Sequence, residues 1–322
     1  MQAYSQQQLN SLIKRQIALI ALVVPALIVI STGCTTQTSS NNNLQPTPSI
    51  QASVEKVPAT LAIAIIAQAS NDTDQQEQIR TLTEYLNKTL KQPVSIQAVK
   101  DYKRTVDLLV EEKVQIALLG PLSYIEAKRR NPQIEAIAAP ITKSTGRPWY
   151  KSAIITNSAS GIKTLNDLKG KRLGFTSKLS TSGYMFPVVH LLDIGFKFNS
   201  DFASVQFFKN HKNSLAALLD GQVDAVGIEF DIYKQAKKAG KINDYYRVMW
   251  ESEPIPQSPI VVSQKLSPQL IAELKEAFIS APIGMLNLDG IPSNGYTLVQ
   301  DSDYDRVRQV KKQLDEKLAK TK

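Results

Sequence analysis

The residues best suited to chemistry in this sequence are three consecutive hydroxyl side chains followed by a glycine, Ser180-Thr181-Ser182-Gly183. Residues 171–176, just before them, have the apolar pattern of a short buried strand. After them, apolar residues recur at three- and four-residue spacing between Met185 and Leu192, which predicts a helix with one apolar face. The sequence therefore places the hydroxyl groups at the N-terminus of a helix.

A helix N-terminus attracts anions because its first amides have no partner within the helix and the helix dipole puts partial positive charge there. Three hydroxyl donors added to these amides would make a site for a tetrahedral oxyanion. The alternative is an ordinary helix cap, because Ser and Thr are preferred at that position. This segment alone leaves both interpretations open.

Four other side chains are candidates for chemistry. His211 follows a predicted strand and precedes a predicted helix, which is where ligand sites of α/β proteins occur. His190 falls in the middle of a predicted helix and is interpreted as structural. Tyr102 and Tyr124 each begin a helix, and their hydroxyl groups suit an oxyanion as well as a core or rim position.

The elements that must position these residues alternate between strand and helix from Leu61 onward. A near-continuous apolar run, residues 61–66, predicts a strand that is covered on both faces. Helices and further strands follow in turn as far as Gly120-Pro121, after which another helix begins. A second set of strands starts near Trp149. This alternation predicts an α/β fold with a largely parallel sheet.

The first 34 residues have the features of an export signal. Lys14 and Arg15 precede an apolar stretch of 14 residues from Ile17 to Ile30, which is short for a membrane span and typical of a signal sequence. Ser31-Thr32-Gly33-Cys34 resembles a bacterial lipobox, in which the cysteine becomes lipid-modified. Cys34 is the single cysteine of the chain, so it has no partner for an internal disulfide. The alternative is an uncleaved signal anchor.

Residues 35–57 are rich in Thr, Ser, Asn, Gln and Pro, so they have too little apolar surface to offset the entropy of ordering. We interpret them as a flexible tether. The net charge is +9 and becomes +7 without residues 1–34, which contain Lys14, Arg15 and no acidic residue. The basic residues are scattered, which argues against a nucleic-acid surface, and a mild positive field favours anions.

Catalysis has little support in the sequence. The sequence contains no metalloprotease, Cys–His or nucleophile-elbow pattern. It also contains no P-loop pattern, so an ATPase is excluded. Two distant histidines and scattered aspartates do not supply the metal cluster that a phosphatase needs. We therefore expect a protein that is not an enzyme and that has no cofactor or metal.

Several stretches taken together resemble one family. They are the lipobox, Asp101-Tyr102, the run 114–127, the hydroxyl segment with Pro187, Asn210-His211 with 215–225, and 255–261. With them the chain looks like a phosphonate/phosphite/phosphate-binding protein of an ABC transporter. The resemblance covers roughly residues 58–285, and its most specific part is the hydroxyl segment followed by the His211 segment.

The resemblance implies a type II periplasmic-binding-protein fold, in which two α/β lobes close on a ligand by a hinge. The implied first lobe is 58–148 plus 256–322, and the second is 149–255. Two hinge crossovers are expected near 146–150 and 250–256. The ligand cleft lies between the lobes.

The resemblance also assigns ligand-binding residues. Ser180, Thr181 and Ser182 match the turn that holds the phosphoryl oxygens, and the other matches are Tyr102, Ser123, Tyr124, His211 and Asp231. Asp231 falls where the family often has a carboxylate for a ligand amine, while a further acidic position is Ser258 here. We therefore expect phosphite, phosphate or methylphosphonate to bind more tightly than 2-aminoethylphosphonate.

The implied function is capture of a phosphorus oxyanion and its delivery to an ABC permease and ATPase complex. The protein is expected to be a monomer, lipid-anchored through Cys34 on the periplasmic side of the plasma membrane, with no nucleic-acid partner. Two alternatives remain at this point. One is a ligand-binding sensor that docks on a membrane kinase, and the other is a phosphoester hydrolase.

Overall fold

The computed structural model of the protein describes residues 59–68, 73–285, 291 and 293–320. The predicted signal peptide at 1–34 with Cys34, and the predicted tether at 35–57, lie outside the described residues. Within the described part of the chain, none of the helices has the length and apolar character needed to cross a membrane.

The first lobe, as we define it, is built on a six-stranded sheet. Its strands are drawn from two separate parts of the chain, one before the second lobe and one after it. Its elements are β1 (Leu61–Ile66), α1 (Thr73–Leu90), β2 (Val94–Val99), α2 (Tyr102–Val110), β3 (Ile116–Leu118), α3 (Pro121–Arg130), β4 (Ile134–Thr142), β12 (Ile260–Ser263), α7 (Pro268–Ile279) and β13 (Ser293–Leu298).

The second lobe is built on a five-stranded sheet formed by the middle of the chain. Its elements are β6 (Ser152–Asn157), β7 (Arg172–Phe175), a π-helical turn (Thr181–Met185) that continues into α4 (Phe186–Asp193), β8 (Ser204–Phe207), α5 (His211–Leu219), β9 (Ala225–Glu229), α6 (Phe230–Lys238) and β10 (Tyr246–Glu251). A last helix, α8 (Asp305–Ala319), follows the first-lobe strands.

Both sheets are mixed, so the prediction of a largely parallel sheet is wrong. The orders are β13-β4-β12-β3-β1-β2 and β10-β6-β9-β7-β8, and only the neighbours within β2-β1-β3 and β9-β7-β8 are parallel. The antiparallel strands include those that carry the chain between lobes. β12 and β6 enter their sheets at the edge where the parallel strands end, so they must run in the opposite direction.

Two short strands join the lobes, β5 (Trp149–Tyr150) and β11 (Ile255–Pro256), and they pair antiparallel with each other. Gln257 extends this pairing, because its amide donates to the carbonyl of Pro148 at 2.8 Å. Its side-chain Nε2 donates to Thr142 Oγ1 at 3.1 Å, so one buried glutamine holds both connections.

Each sheet is covered on both faces by apolar side chains. Along β1, Leu61, Ile63 and Ile65 pack towards α1 and α7, whereas Ala64 packs on the side of α2 and α3. Alternation of side chains along a strand sends neighbours to opposite faces, which explains why a strand buried on both faces is apolar throughout.

Helix α8 packs on both lobes, although it belongs to the part of the chain that the sequence assigned to the first lobe. Its apolar residues Val307, Val310 and Leu314 share one core cluster with second-lobe residues of β7 and α4. Lys317 Nζ also lies 2.7 Å from Asp193 Oδ1 at the end of α4. The last helix is therefore a third link between the lobes.

The two tryptophans of the chain lie at the two connections. Trp149 is in β5, 43% exposed, with the Arg147 guanidinium 5.4 Å from its ring centroid. Trp250 is near the end of β10 and stacks on His190 of α4, with ring centroids 4.4 Å apart. Burial lowers the pKa of His190.

Candidate functional site

A small cavity of about 10 Å³ lies between the lobes, at the edge where the parallel strands of both sheets end. Ligand sites of α/β proteins form at this edge because the loops that leave the strands converge there. First-lobe, second-lobe and connecting segments all contribute to its lining, which consists of Ile66, Tyr102, Gly120, Tyr150, Ser180, Thr181, Ser182, His211, Glu229 and Ser258.

The hydroxyl segment forms the start of a helix, as the sequence predicts. Ser180 is the N-cap, with an extended backbone, and its Oγ accepts a hydrogen bond from the amide of Gly183 at 3.0 Å. Ser180, Thr181 and Ser182 are all buried and all line the cavity. The cap and the oxyanion interpretations therefore coexist, because a hydroxyl that accepts from an amide keeps its own proton to donate.

The first turn of this helix is π-helical rather than α-helical, since the amide of Met185 donates to the carbonyl of Ser180 at 3.1 Å and the amide of Phe186 donates to the carbonyl of Thr181. In an α-helix the carbonyl of Gly183 would accept from the amide of residue 187, but proline has no amide hydrogen. The Gly183 carbonyl accepts instead from the amide of Thr176 at 3.1 Å, and Ser182 O accepts from Ser152 Oγ at 2.6 Å. The widened turn is thus tied back to the sheet.

Gly183 is required at the base of this turn by close packing. A Cβ atom at this position would lie 2.2 Å from Thr176 Oγ1 and 2.5 Å from Thr176 Cγ2. Real Cβ atoms do not approach other atoms so closely, and Thr176 is fully buried. The glycine lets the hydroxyl turn sit directly on the end of β7.

The lobes touch directly beside the cavity. The amide of Leu122, at the start of α3, donates to Thr181 Oγ1 at 2.8 Å. On another side, Asn210 Nδ2 donates to the carbonyl of Ala67 at 3.3 Å, while Asn210 Oδ1 caps α5 by accepting from the amide of Asn213 at 2.8 Å. Thr181 therefore both lines the cavity and bonds across the lobes.

His211 is the first residue of α5, and its ring orientation is set by the backbone of β9. Its Nδ1 accepts a hydrogen bond from the amide of Glu229 at 3.0 Å. An imidazole nitrogen that accepts from an amide carries no proton, so the proton of the neutral ring is on Nε2. His211 can therefore donate from Nε2 to an oxyanion.

Two predicted ligand residues, Ser123 and Tyr124, are buried but do not line the cavity. Ser123 Oγ donates across the lobes to the carbonyl of Leu179 at 3.0 Å. Tyr124 points the other way along α3, where its hydroxyl donates to Asp301 Oδ1 at 2.5 Å and its ring contacts Tyr304 edge-on. Burial and the neighbouring Asp301 raise the pKa of Tyr124, so the phenol remains protonated.

Asp231 is also placed outside this cavity. It begins α6, forms an ion pair with Lys234 of the same helix and accepts from Ser144 Oγ at 3.3 Å. It lines a separate cavity of about 220 Å³ beside the connecting strand β5. The acidic side chain that the sequence assigned to a ligand amine is thus engaged with a lysine.

The sequence interpretation missed Glu229, Tyr150 and Ile66, which line the cavity. A signal for Glu229 was present, since it is the last residue of a buried apolar strand and so lies at the ligand edge of the sheet. It is only 2% exposed and has the single carboxylate among the described lining residues, which include no lysine or arginine. Hydrogen-bond donors therefore dominate the site.

Elsewhere in the described residues, no group of three or more His, Cys, Asp or Glu side chains is arranged to hold a metal ion. The lining residues are those expected of an anion-binding cavity.

A comparison with protein families agrees with this interpretation of the cavity. The family of ABC transporter, phosphonate, periplasmic substrate-binding proteins matches residues 63–304. The chain belongs to this family.

Known proteins resemble the chain over most of its length. The "Phosphate-import protein PhnD" of Mycolicibacterium smegmatis is 27% identical over 282 residues, which is 80% of this chain and 86% of that protein. The solved structure of PhnD1 from Prochlorococcus marinus in complex with methylphosphonate has a TM-score of 0.71 at 18% identity, covering 80% and 99% of the two chains.

A second solved structure is a binding-protein component of an ABC phosphonate transporter from Pseudomonas aeruginosa. Its TM-score is 0.70 at 21% identity, over 82% of this chain and 89% of that one. These likenesses concern the fold. The predicted type II periplasmic-binding-protein fold with two α/β lobes is confirmed, and the protein is an ABC transporter substrate-binding protein of this family.

Proposed function

We propose that this chain captures a phosphorus oxyanion, namely phosphite, phosphate or a small phosphonate, between its lobes and delivers it to an ABC permease. The observation that carries the proposal is the convergence of three buried hydroxyls, Ser180, Thr181 and Ser182, with His211 on one small cavity. All four groups have a proton to donate. Such a set is complementary to a tetrahedral oxyanion.

The residues that hold the ligand in this proposal are Ser180, Thr181, Ser182, Tyr102 and His211. Three more predicted residues, Ser123, Tyr124 and Asp231, act indirectly, because their polar atoms bond to Leu179, Asp301 and Lys234. Helix-terminal amides add to the donors, and the helix dipole favours negative charge at this end.

The ligand in this proposal has a small, uncharged tail. Ser258, which stands at the family's further acidic position, lines the cavity as a neutral side chain. Glu229 is one carboxylate rather than the pair that an ammonium would need to offset its desolvation. The relatives named for phosphate import and solved with methylphosphonate support this class of ligand.

The test is a calorimetric binding panel of phosphite, phosphate, methylphosphonate, 2-aminoethylphosphonate and sulfate. We expect at least one of the first three to bind at least tenfold more tightly than 2-aminoethylphosphonate, a difference of about 1.4 kcal/mol. Tight sulfate binding with no response to any phosphorus oxyanion would overturn the proposal. A clear preference for 2-aminoethylphosphonate would overturn the uncharged tail.

We also propose that the chain has no enzymatic activity, which its relatives among transport proteins support. Incubation with phosphoesters should release no phosphate above the rate without protein. Release that disappears in a Thr181→Val variant would contradict this statement.

We also propose the lobe boundaries 58–148 plus 256–322 and 149–255, which the membership of the two sheets supports.

We further propose that the protein is a monomer anchored to the periplasmic side of the plasma membrane through lipid-modified Cys34. Two acyl signals anchor a protein stably where one does not. The mature protein should begin at Cys34 and sediment with membranes, and Cys34→Ala should release it or leave the precursor uncut. A soluble wild type that begins elsewhere would refute the anchor.

A further inference from the structure

The described residues that line the cavity carry no positive charge of a lysine or arginine. Hydroxyl groups and helix-terminal amides can hold an oxyanion at contact distance. Attraction of an anion from solution requires net charge, because only the field of a charge extends far enough to guide diffusion. Any positive charge that guides an oxyanion into this site must therefore lie outside the lining of the cavity.

Two exposed lysines lie at the edge of the second-lobe sheet where the cavity is formed. Lys178 follows β7 and comes two residues before Ser180, while Lys209 follows β8 and comes two residues before His211. Because β7 and β8 are parallel neighbours, the chain leaves both strands at the same edge of the sheet. The Lys178 Nζ atom lies 5.8 Å from the ring centroid of Phe207, the last residue of β8.

These two connections have a positive charge that no acid of their own offsets. Neither the chain between β7 and the hydroxyl turn nor the chain between β8 and α5 contains an aspartate or a glutamate. The next acidic residue along the chain after Lys209 is Asp220, at the far end of α5. Each lysine therefore adds a positive field to the cavity edge.

The backbone of Lys209 is in the left-handed region, with a φ of 74°. This conformation favours glycine, because a Cβ atom crowds the backbone there. It is fixed by the sheet, since the Lys209 amide donates to the carbonyl of Thr176 at 2.7 Å. Lys91 and Glu112 also have positive φ, but each lies between a helix and the next parallel strand, at the opposite edge of the first-lobe sheet. Lys209 is thus a strained residue beside the candidate site, and such strain points to a use for the side chain.

We propose that Lys178 and Lys209 form an outer capture pair, which attracts oxyanions towards the cavity and speeds their association without holding the bound ligand. The inference rests on the proposed function and adds the rate of capture to it. Neither lysine lines the cavity, so the groups that attract the anion differ from the groups that hold it. An oxyanion bound without an ion pair to lysine can leave again when the lobes open, which delivery to a permease requires.

The proposal has a distinct kinetic signature. Charges outside a binding site change the association rate, whereas groups that bond to the bound ligand change the dissociation rate. Salt screens the first effect, because the Debye length falls from about 30 Å at 0.01 M ionic strength to about 3 Å at 1 M. Loss of a capture lysine should therefore slow association at low ionic strength and have little effect at high ionic strength.

The experiment is stopped-flow measurement of association and dissociation rate constants with phosphite and methylphosphonate, at about 0.01 M and about 1 M ionic strength. Lys209→Gly removes one charge and the left-handed strain together. Lys91→Gly is the matched control, because it makes the same substitution at an exposed lysine with a φ of 51°, away from the cavity. Lys209→Arg keeps the charge, and Lys178→Met keeps the apolar stem of the side chain that lies over Phe207.

At low ionic strength we expect association to slow by about threefold in Lys209→Gly and by about tenfold in the double variant with Lys178→Met. Lys91→Gly and Lys209→Arg should associate at the wild-type rate. Both glycine variants should melt no earlier than the wild type, since glycine relieves the strain at positive φ. Dissociation should be unchanged throughout, and at high ionic strength all association rates should agree within about twofold.

Equal association rates for the double variant and the wild type at low ionic strength, with phosphorus oxyanions still bound, would overturn this inference alone. So would a slower association that persists at high ionic strength, an equal slowing in Lys91→Gly, or a loss of affinity that comes from faster dissociation. Failure of the wild type to bind any phosphorus oxyanion would overturn the proposed function, and this inference with it.

Discussion

The two sides of the cavity are built from different chemistry. The second-lobe side contributes the hydroxyl turn, Tyr150, His211 and Glu229, whereas the first-lobe side contributes Ile66, Tyr102, Gly120 and Ser258. The hydroxyl turn, the imidazole and the carboxylate are thus on the second lobe, and the polar side chains of the first lobe are one tyrosine and one serine. In the proposed function, this asymmetry gives the second lobe the larger part in recognising the oxyanion.

The largest effect on binding should come from Gly183→Ala, which disrupts the second-lobe side at its base. The added methyl group would meet Thr176 Oγ1 at 2.2 Å, so the hydroxyl turn must move. Loss of two hydrogen bonds to a charged ligand lowers the affinity by about 100-fold or more. Calorimetry with methylphosphonate measures the change.

Gly120→Ala is a control for stability only, because Gly120 lines the cavity but a methyl group there lies 3.8 Å from Tyr102, an ordinary contact distance. Its melting temperature should remain near that of the wild type. Equal affinities for Gly183→Ala and wild type would refute the importance of the turn.

Thr181→Val tests one donor of the same turn. The substitution removes the hydroxyl that accepts from the amide of Leu122 and can donate to the ligand. A hydrogen bond to a charged group contributes about 1.5–3 kcal/mol, so the affinity should fall by about 10- to 100-fold. Thr81→Val, on the exposed face of α1, is the control. Unchanged affinity for every phosphorus oxyanion would leave the turn as a helix cap only.

Ser123→Ala tests closure rather than recognition. Its hydroxyl bonds across the lobes to the carbonyl of Leu179 and does not line the cavity. A neutral hydrogen bond contributes about 0.5–1.5 kcal/mol, so we expect a loss of affinity of about 2- to 10-fold that is the same for every ligand. Stopped-flow kinetics should assign the loss to faster dissociation. A loss that differs between phosphite and methylphosphonate would instead indicate direct contact with the ligand.

Tyr124→Phe should have the smallest effect on affinity, because its hydroxyl bonds to Asp301 on the side away from the cavity. We expect unchanged ligand binding and a free energy of unfolding lower by about 1 kcal/mol. Chemical denaturation and calorimetry measure the two quantities. A tenfold loss of affinity without a loss of stability would return Tyr124 to the ligand site.

The same variant has a pH signature. Burial acts to raise the pKa of Asp301, but hydrogen bonds from Tyr124 and Arg308 lower it overall. A carboxyl with a lowered folded-state pKa stabilises the fold above its unfolded pKa, and this contribution is lost as the pH falls through the folded pKa. Tyr124→Phe should therefore lose less stability on acidification than the wild type, which unfolding at acidic and neutral pH would measure.

Regular strand and helix units could be predicted from the sequence, because their apolar periodicity follows directly from burial. The strands β4, β10 and β13 were not predicted. The pairings β10–β6, β12–β4 and β13–β4 each contain a shift of register, which sequence periodicity does not reveal. The mixed strand directions of the two sheets were likewise not predicted, because the direction of a strand depends on where the chain crosses between lobes.

The hydroxyl turn was predicted because a strand end and a helix start both mark it in the sequence. The sequence did not predict that Glu229 and Asp231 line different cavities, because two residues at a strand–helix junction point to different sides of the sheet edge. Tyr124 differs from its neighbours in α3 for a related reason. The side chain of Leu122 packs in a core cluster with second-lobe residues and Ser123 Oγ donates to Leu179 O, whereas the Tyr124 hydroxyl faces Asp301, because successive residues of a helix face different directions.

Both tryptophans of the chain lie where the lobes are joined, Trp149 in β5 and Trp250 near the end of β10. Each indole is therefore close to the segments that must rotate when the lobes separate. The protein thus contains its own optical reporter, with no background from tryptophans elsewhere. Changes in intrinsic fluorescence on adding a ligand would follow the hinge in real time, without a dye or an engineered label.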